Sequence, residues 1–133
     1  YLVSDKIDWT PYKGFVYTFD ETKDIAWLYL VSDMLITDYS SVMFDYSILN
    51  RPMLFFAYDL EDYKENLRGF YFDFVNDIPG PISRDTDQLI KDIKEYNEDN
   101  WKEKYKNYHD KFNGIDDGHA SQKVIDVIKK VSR

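Results

Sequence analysis

The chain has 133 residues, 44% of them hydrophobic and 18% aromatic, with a formal charge of −8. That apolar share excludes a disordered polymer, and the length suits one domain or a large piece of one. The charge excludes a broad electrostatic grip on nucleic acid or on an anionic membrane, which needs clustered Lys and Arg; an anionic ligand would be held by local donors and a few selected cations.

Without Cys there is no disulfide framework and no thiolate chemistry. No apolar run approaches the roughly 20 residues that span a bilayer. Tyr1-Leu2-Val3-Ser4-Asp5 turns polar at once, unlike a signal peptide. Opening in an extended Tyr1-Leu2-Val3 and not with Met, the chain reads as a segment of a longer protein.

Along the chain, Gly14-Phe15-Val16-Tyr17-Thr18-Phe19 follows a Thr10-Pro11 turn signal and predicts a short strand. Asp20 or Thr22 then caps a helix with Ile25, Leu28 and Tyr29 on one face. Met34-Leu35-Ile36-Thr37 reads as a strand covered on both faces. Helical spacing resumes at Val42, Phe44, Tyr46, Ile48 and Leu49 and stops at Asn50-Arg51-Pro52, before a second apolar strand, Met53-Leu54-Phe55-Phe56-Ala57. Strand, helix, strand, helix, strand is the order of βαβ units, so the fold class is α/β, a Rossmann-like parallel sheet with flanking helices. Asp59 to Arg68 is polar and rich in Tyr, a loop with a helical turn, and Phe70-Tyr71-Phe72-Asp73-Phe74 alternates weakly as a further strand. After the Pro79-Gly80-Pro81 breaker the chain is helical, from about residue 85. Leu89, Ile90 and Ile93 form one stripe, and Trp101, Tyr105, Tyr108 and Phe112 another. A break from Gly114 to Gly118 precedes a last amphipathic helix bearing Ala120, Val124, Ile128 and Val131.

Ligands of open parallel sheets sit beyond the carboxyl ends of the strands. Thr37-Asp38-Tyr39-Ser40-Ser41 falls there, between an apolar strand and the helix after it. Unpaired N–H groups and two hydroxyls at that junction could share a phosphate, one serine capping while the other meets the ligand. Asp45, one turn beyond Ser41, could accept hydrogen bonds from ribose or polyol hydroxyls. A plain cap with an acid in the first turns accounts for the same residues. In Arg68-Gly69-Phe70-Tyr71 the Arg offers a bidentate phosphate contact, or stands as a surface residue by a turn.

Other chemistries fit less well. A signalling receiver would phosphorylate Asp38, with Asp20-Glu21 as its acidic pair, but Tyr58-Asp59 stand where its Lys should follow the Met53 to Ala57 strand. His109 lies among Lys and Asp on a helix, and His119 opens the last helix with no second His near it, so no metal site or hydrolytic triad is expected. The glycines show neither GxGxxG nor GxxxxGK spacing, and no cofactor is expected.

The run from Ser32 to Tyr46 (SDMLITDYSSVMFDY), followed by Asn50-Arg51-Pro52, resembles the CDP-glycerol glycerophosphotransferase family. Tyr58-Asp59, Leu67-Arg68-Gly69-Phe70-Tyr71, Pro79-Gly80-Pro81 and Asp117-Gly118-His119-Ala120-Ser121 continue the likeness in order over nearly the whole chain. Members of that family build the glycerol phosphate or ribitol phosphate chains of teichoic acids in Gram-positive bacteria. The resemblance implies the C-terminal half of a GT-B-type transferase: residues 1–133 would be most of the donor-nucleotide-binding domain, without the N-terminal acceptor domain. It implies that Ser40 and Ser41 hold the diphosphate of CDP-glycerol, with Thr37 and Asp38 beside them. Asp45 would lie near the glycerol or sugar hydroxyls and Arg68 on a phosphate or the acceptor. A ribitol phosphate transferase or a glycerol phosphate primase is the alternative within the family. The catalytic histidines are expected before Tyr1, leaving this segment inactive alone. A lipid-linked teichoic acid acceptor, no nucleic acid, and a place at the cytoplasmic face of the plasma membrane, reached through other parts of the parent protein, complete the expectation.

Overall fold

The two apolar runs at the centre of the chain form parallel strands in the computed structural model, which describes residues 7–19, 22–63 and 70–132. The backbone divides into two compact units, Tyr1–Ser32 and Asp33–Arg133.

In the first unit the expected strand is absent from the described residues. Thr10–Tyr12 instead forms a 3-10 turn with Pro11 in its first positions, and Lys13 and Val16 meet in an isolated bridge. Tyr17 and Phe15 stand almost fully in solvent. The residues are of strand type, but no neighbouring strand among the described residues saturates their backbone, and propensity alone does not hold a strand. The helix comes as expected, α1 from Ala26 to Val31. Its start is fixed by Asp24, whose carboxylate accepts the Ala26 amide at 2.9 Å. Asp20 lies outside the described residues.

The second unit is α/β. Strand β1 is Leu35–Thr37, β2 is Met53–Phe56 and β3 is Ile82–Ser83. They form one parallel sheet in the order β1-β2-β3, with Leu35 opposite Met53 and Phe55 opposite Ile82. The central strand is the dry one: Met53, Leu54 and Phe55 are fully buried, as a strand covered on both faces requires. On β1 the expectation of two covered faces fails, because Ile36 is 46% exposed. Pro79-Gly80-Pro81 does end one segment, but it starts β3, whose carbonyls accept from the β2 side: Phe55 N–H donates to Pro81 O (3.0 Å) and Ala57 N–H to Ser83 O (2.9 Å).

Helix α2, Val42–Ser47, connects β1 to β2, and buries Met43, Tyr46 and Ser47. The stretch Phe70 to Phe74 is not a strand. Asp73 accepts the Asn76 amide and starts a short helix, α4, Phe74–Asp77, after the brief α3, Leu60–Asp62. The rings of Phe70, Phe72 and Phe74 pack on one another with centroids 4.6–6.2 Å apart; a strand would set Phe70 and Phe74 on one face but about 13 Å apart, too far for their 4.6 Å stack. Asp85 caps α5, Thr86–Lys94, by accepting the Gln88 amide at 2.8 Å. The stripe of α6, Lys102–Phe112, behaves as read: Tyr105 and Tyr108 are buried. Met53 N–H, at the start of β2, donates to the Tyr105 hydroxyl. Asn113 closes α6 onto α2, its Nδ2 donating to Phe44 O at 2.9 Å beside the Ser47 hydroxyl, which donates to the same carbonyl at 2.7 Å. The last helix, α7, Ala120–Val131, carries its apolar stripe in solvent. Among the described residues no helix is long and apolar enough to cross a membrane.

Candidate functional site

Strand β1 delivers the chain to the carboxyl edge of the sheet at Thr37, and α2 carries it away from Val42; the four residues between make the candidate site. Asp38 turns the corner. Its carboxylate accepts the Ser40 amide at 2.8 Å, a local bond that mimics a backbone turn. One of the amides thought free for an anion is thereby occupied, and a negative charge stands beside it.

The serines then divide the work. The Ser40 hydroxyl lies 3.5 Å from the Val42 amide, a weak cap. Ser41 has already turned helical (φ −61°, ψ −12°) and its side chain caps nothing. Its hydroxyl is exposed and makes no hydrogen bond among the described residues. Asp45, four residues on, is exposed and its carboxylate is likewise unengaged. The spacing places it one turn along the face that Ser41 begins. Thr37 is half-buried in register with Phe55. Arg68 lies outside the described residues, as do Leu67 and Gly69.

Tyr39 was not singled out by sequence, yet it ties this loop to the rest of the edge. Its hydroxyl donates to Asp59, just past β2, at 2.8 Å. Its ring stacks on Tyr63 with centroids 4.0 Å apart. Burial, and then the hydrogen bond and charge of Asp59, push the phenol well above its ordinary range, so it stays a donor. The partner is 20 residues away in sequence. Only the unusual Tyr content of the stretch after Asp59 hinted at it.

Beside Ser41 opens a cleft of about 550 Å³ lined by Tyr39, Met43, Phe44, Tyr63 and Phe70 among others. It supplies apolar and aromatic walls with the Ser41 hydroxyl as a polar group at one side, the mixture typical of a small-molecule site. His109 is not part of this edge; it lines a cavity with Asn50 and Pro52, before β2. His119 is the residue before α7, its amide held by Asp117 at 3.0 Å. Among the described residues no three His, Asp or Glu side chains group as metal ligands. The receiver alternative lacks the strand that would carry its acidic pair, since Phe15 to Phe19 is no strand; Asp20 and Glu21 themselves lie outside the described residues.

Comparison with known proteins meets this geometry from the other side. Residues 1–130 match the model of the CDP-Glycerol:Poly(glycerophosphate) glycerophosphotransferase family. The chain is 46% identical over 132 residues to a teichoic acid poly(glycerol phosphate) polymerase of Bacillus subtilis, covering 98% of this chain and 18% of that protein. It is 45% identical over 117 residues to a teichoic acid poly(ribitol-phosphate) polymerase of Bacillus spizizenii, covering 88% of this chain and 18% of that protein. The solved wall teichoic acid polymerase TagF superposes with a TM-score of 0.84 at 44% identity, over 97% of this chain and 32% of that one. A variant of it soaked with CDPG gives 0.85 at 44% identity, over 98% and 33%. The fold is therefore the α/β arrangement of that GT-B-like transferase, and the chain spans 18% to 33% of the length of these proteins.

Proposed function

Because the chain belongs to the CDP-glycerol:poly(glycerophosphate) glycerophosphotransferase family, we propose that it is most of the C-terminal, donor-binding domain of an enzyme that transfers glycerol phosphate from CDP-glycerol to a growing teichoic acid chain. One observation carries the site: the Ser41 hydroxyl and the Asp45 carboxylate stand open, without partners among the described residues, at the start of α2 and one turn along it, at the carboxyl edge of a parallel sheet.

In this reading Ser41 donates to the donor diphosphate and Ser40 sets the turn that presents it. Asp38 shapes the loop and Thr37 lines its base. A carboxylate repels phosphate but accepts hydroxyls, so Asp45 faces the polyol or the ribose. Arg68 supplies the charge that hydroxyls lack. The reaction joins a terminal acceptor hydroxyl to the glycerol-bearing phosphorus. A new P–O bond forms, the P–O bond to CMP breaks, and the hydroxyl proton passes to a base outside this chain. The acceptor is lipid-linked, at the cytoplasmic face of the plasma membrane, and membrane contact lies in other parts of the parent.

The test is calorimetric titration of CDP-glycerol into the full-length protein and its Ser40→Ala, Ser41→Ala and Asp45→Ala variants. A lost hydrogen bond to a charged group weakens binding by about 1.5–3 kcal/mol. Ser41→Ala and Asp45→Ala should each show a loss of that order, and Ser40→Ala a smaller one. Three variants that bind like the parent would remove the site assignment. CDP-ribitol belongs in the same titration, because a ribitol-phosphate polymerase is 45% identical to this chain over 117 residues, against 46% over 132 for a glycerol-phosphate one.

A further inference from the structure

A second cavity, of about 340 Å³, lies at the opposite edge of the sheet, where Asn50 and Pro52 lead into β2. Its volume falls at the low end of the roughly 300–1,000 Å³ usual for small-molecule sites. Four residues of α6 line it, Lys102, Tyr105, Lys106 and His109, at the spacings of three and four that stack side chains on one side of a helix. Lys102 and Lys106 make no hydrogen bond, ion pair or ring contact among the described residues. Their neighbours on the same helix are engaged otherwise: Lys104 lies over Trp101 and Lys111 pairs with Asp77 at 2.7 Å. In a chain of net charge −8, two ammonium groups without partners among the described residues line one cavity. The same cavity is also lined by Glu98, in the 3-10 turn that leads into α6, and by Asn50. Asn50 is held with φ at 51°, a left-handed conformation that Asn tolerates better than most residues.

A cavity lined by both ammonium groups and groups that accept from hydroxyls suits a ligand that carries both an anion and alcohols. We propose that this cavity binds a polyol phosphate, with Lys102, Lys106 and His109 on the phosphate and Glu98 and Asn50 on the hydroxyls. It is separate from the serine edge, since strands of three or four residues rising about 3.3 Å each put the two edges ~10 Å apart. Two sources offer the same chemistry, a repeat of the growing chain or free glycerol phosphate; the first rests on the function proposed above. A grip on the chain away from the reacting end would hold the product between additions.

The experiment uses the full-length protein with a fluorescent glycerol phosphate oligomer, read by anisotropy, and sn-glycerol 3-phosphate, read by competition. Variants are Lys102→Ala/Lys106→Ala, the charge reversal Lys106→Glu, and Lys129→Ala/Lys130→Ala on α7 as a control of equal charge. Both cavity lysines are exposed, so the fold should survive substitution. Exposed charge contacts are individually weak, so the double variant should lose three- to tenfold in affinity, less at high salt. Loss for the oligomer alone names the chain as ligand, and loss for both probes names the monomer as well. Unchanged binding of both probes, or an equal loss in the α7 control, overturns the proposal. Titration of CDP-glycerol in parallel keeps the two readings apart: it should be unaffected by the cavity variants, and its failure in the parent would sink the donor site alone.

Discussion

Removing one oxygen from Tyr105 tests how the sheet is fastened to α6. Met53 opens β2 and is fully buried, and its N–H is directed to the Tyr105 hydroxyl. The phenylalanine variant keeps the ring that fills the core but deletes the acceptor, leaving a buried amide donor unsatisfied. Such a group destabilises by about 1–3 kcal/mol, more than a surface hydrogen bond because no water can replace the lost partner. For a domain of this size each kcal/mol lowers the melting temperature by roughly 3–5 °C, so Tyr105→Phe should melt about 6–10 °C lower if the loss is ~2 kcal/mol. Thermal and urea unfolding followed by circular dichroism would measure it, with Tyr12→Phe, whose ring is 52% exposed, expected to shift neither. A Tyr105→Phe protein within about 0.5 kcal/mol of the parent would refute the reasoning, since that is the scatter of surface substitutions.

Other outcomes follow from the same coordinates. A Cβ added at Gly80 would lie 1.9 Å from the Met53 carbonyl oxygen, and prolines on both sides restrict relief, so Gly80→Ala should destabilise by at least ~3 kcal/mol in urea unfolding. Burial, the largest cause in each case, holds the phenols of Tyr39, Tyr105 and Tyr108 above their ordinary value near 10. A raised folded pKa means stability fully present below pH ~10 and lost as pH rises beyond it, so the melting temperature should be flat from pH 8 to 9.5 and fall above, alongside phenolate absorbance. Asp85→Ala removes the side-chain acceptor at the start of α5 and should lower stability by about 1 kcal/mol, detectable as a shift in urea midpoint. Tyr39→Phe breaks the bond to Asp59 without touching the serines; CDP-glycerol should bind it several-fold more weakly, while Asp59→Asn, which can still accept, should largely retain affinity.

What the residues revealed beforehand follows from how local each cause is. Strand β1, α2 and β2 were legible because each is a run of one hydrophobic period bounded by its own breakers, Thr37-Asp38 and Asn50-Arg51-Pro52. Strand β3 was not, since Ile82 and Ser83 are too few to show a period and owe their conformation to β2 alongside. Phe15 to Phe19 and Phe70 to Phe74 both look like strands by composition, but the first finds no partner strand among the described residues and the second folds back to stack Phe70 on Phe74 at 4.6 Å. At the site, Ser40, Ser41 and Asp45 could be named from spacing, whereas the division between a capping and an open serine needed the geometry of the turn that Asp38 makes. The bond from Tyr39 to Asp59 and the meeting of Asn50 with Lys102 and Lys106 join segments far apart in sequence, and no local pattern encodes them.

The register of the sheet also sets an order of assembly. Leu35 faces Met53 across 18 positions of chain, while Phe55 faces Ile82 across 27, and closing the longer loop costs more entropy before any contact rewards it. The β1-α2-β2 unit should therefore form first, with β3 and its helix docking afterwards. Asp38, Ser40, Ser41 and Asp45 all lie inside the segment that closes early. As the ribosome releases the chain, the serine turn can take its shape before α5, α6 and α7 have been synthesised, and a folding defect in those late helices would leave the turn built but its aromatic wall at Phe112 missing.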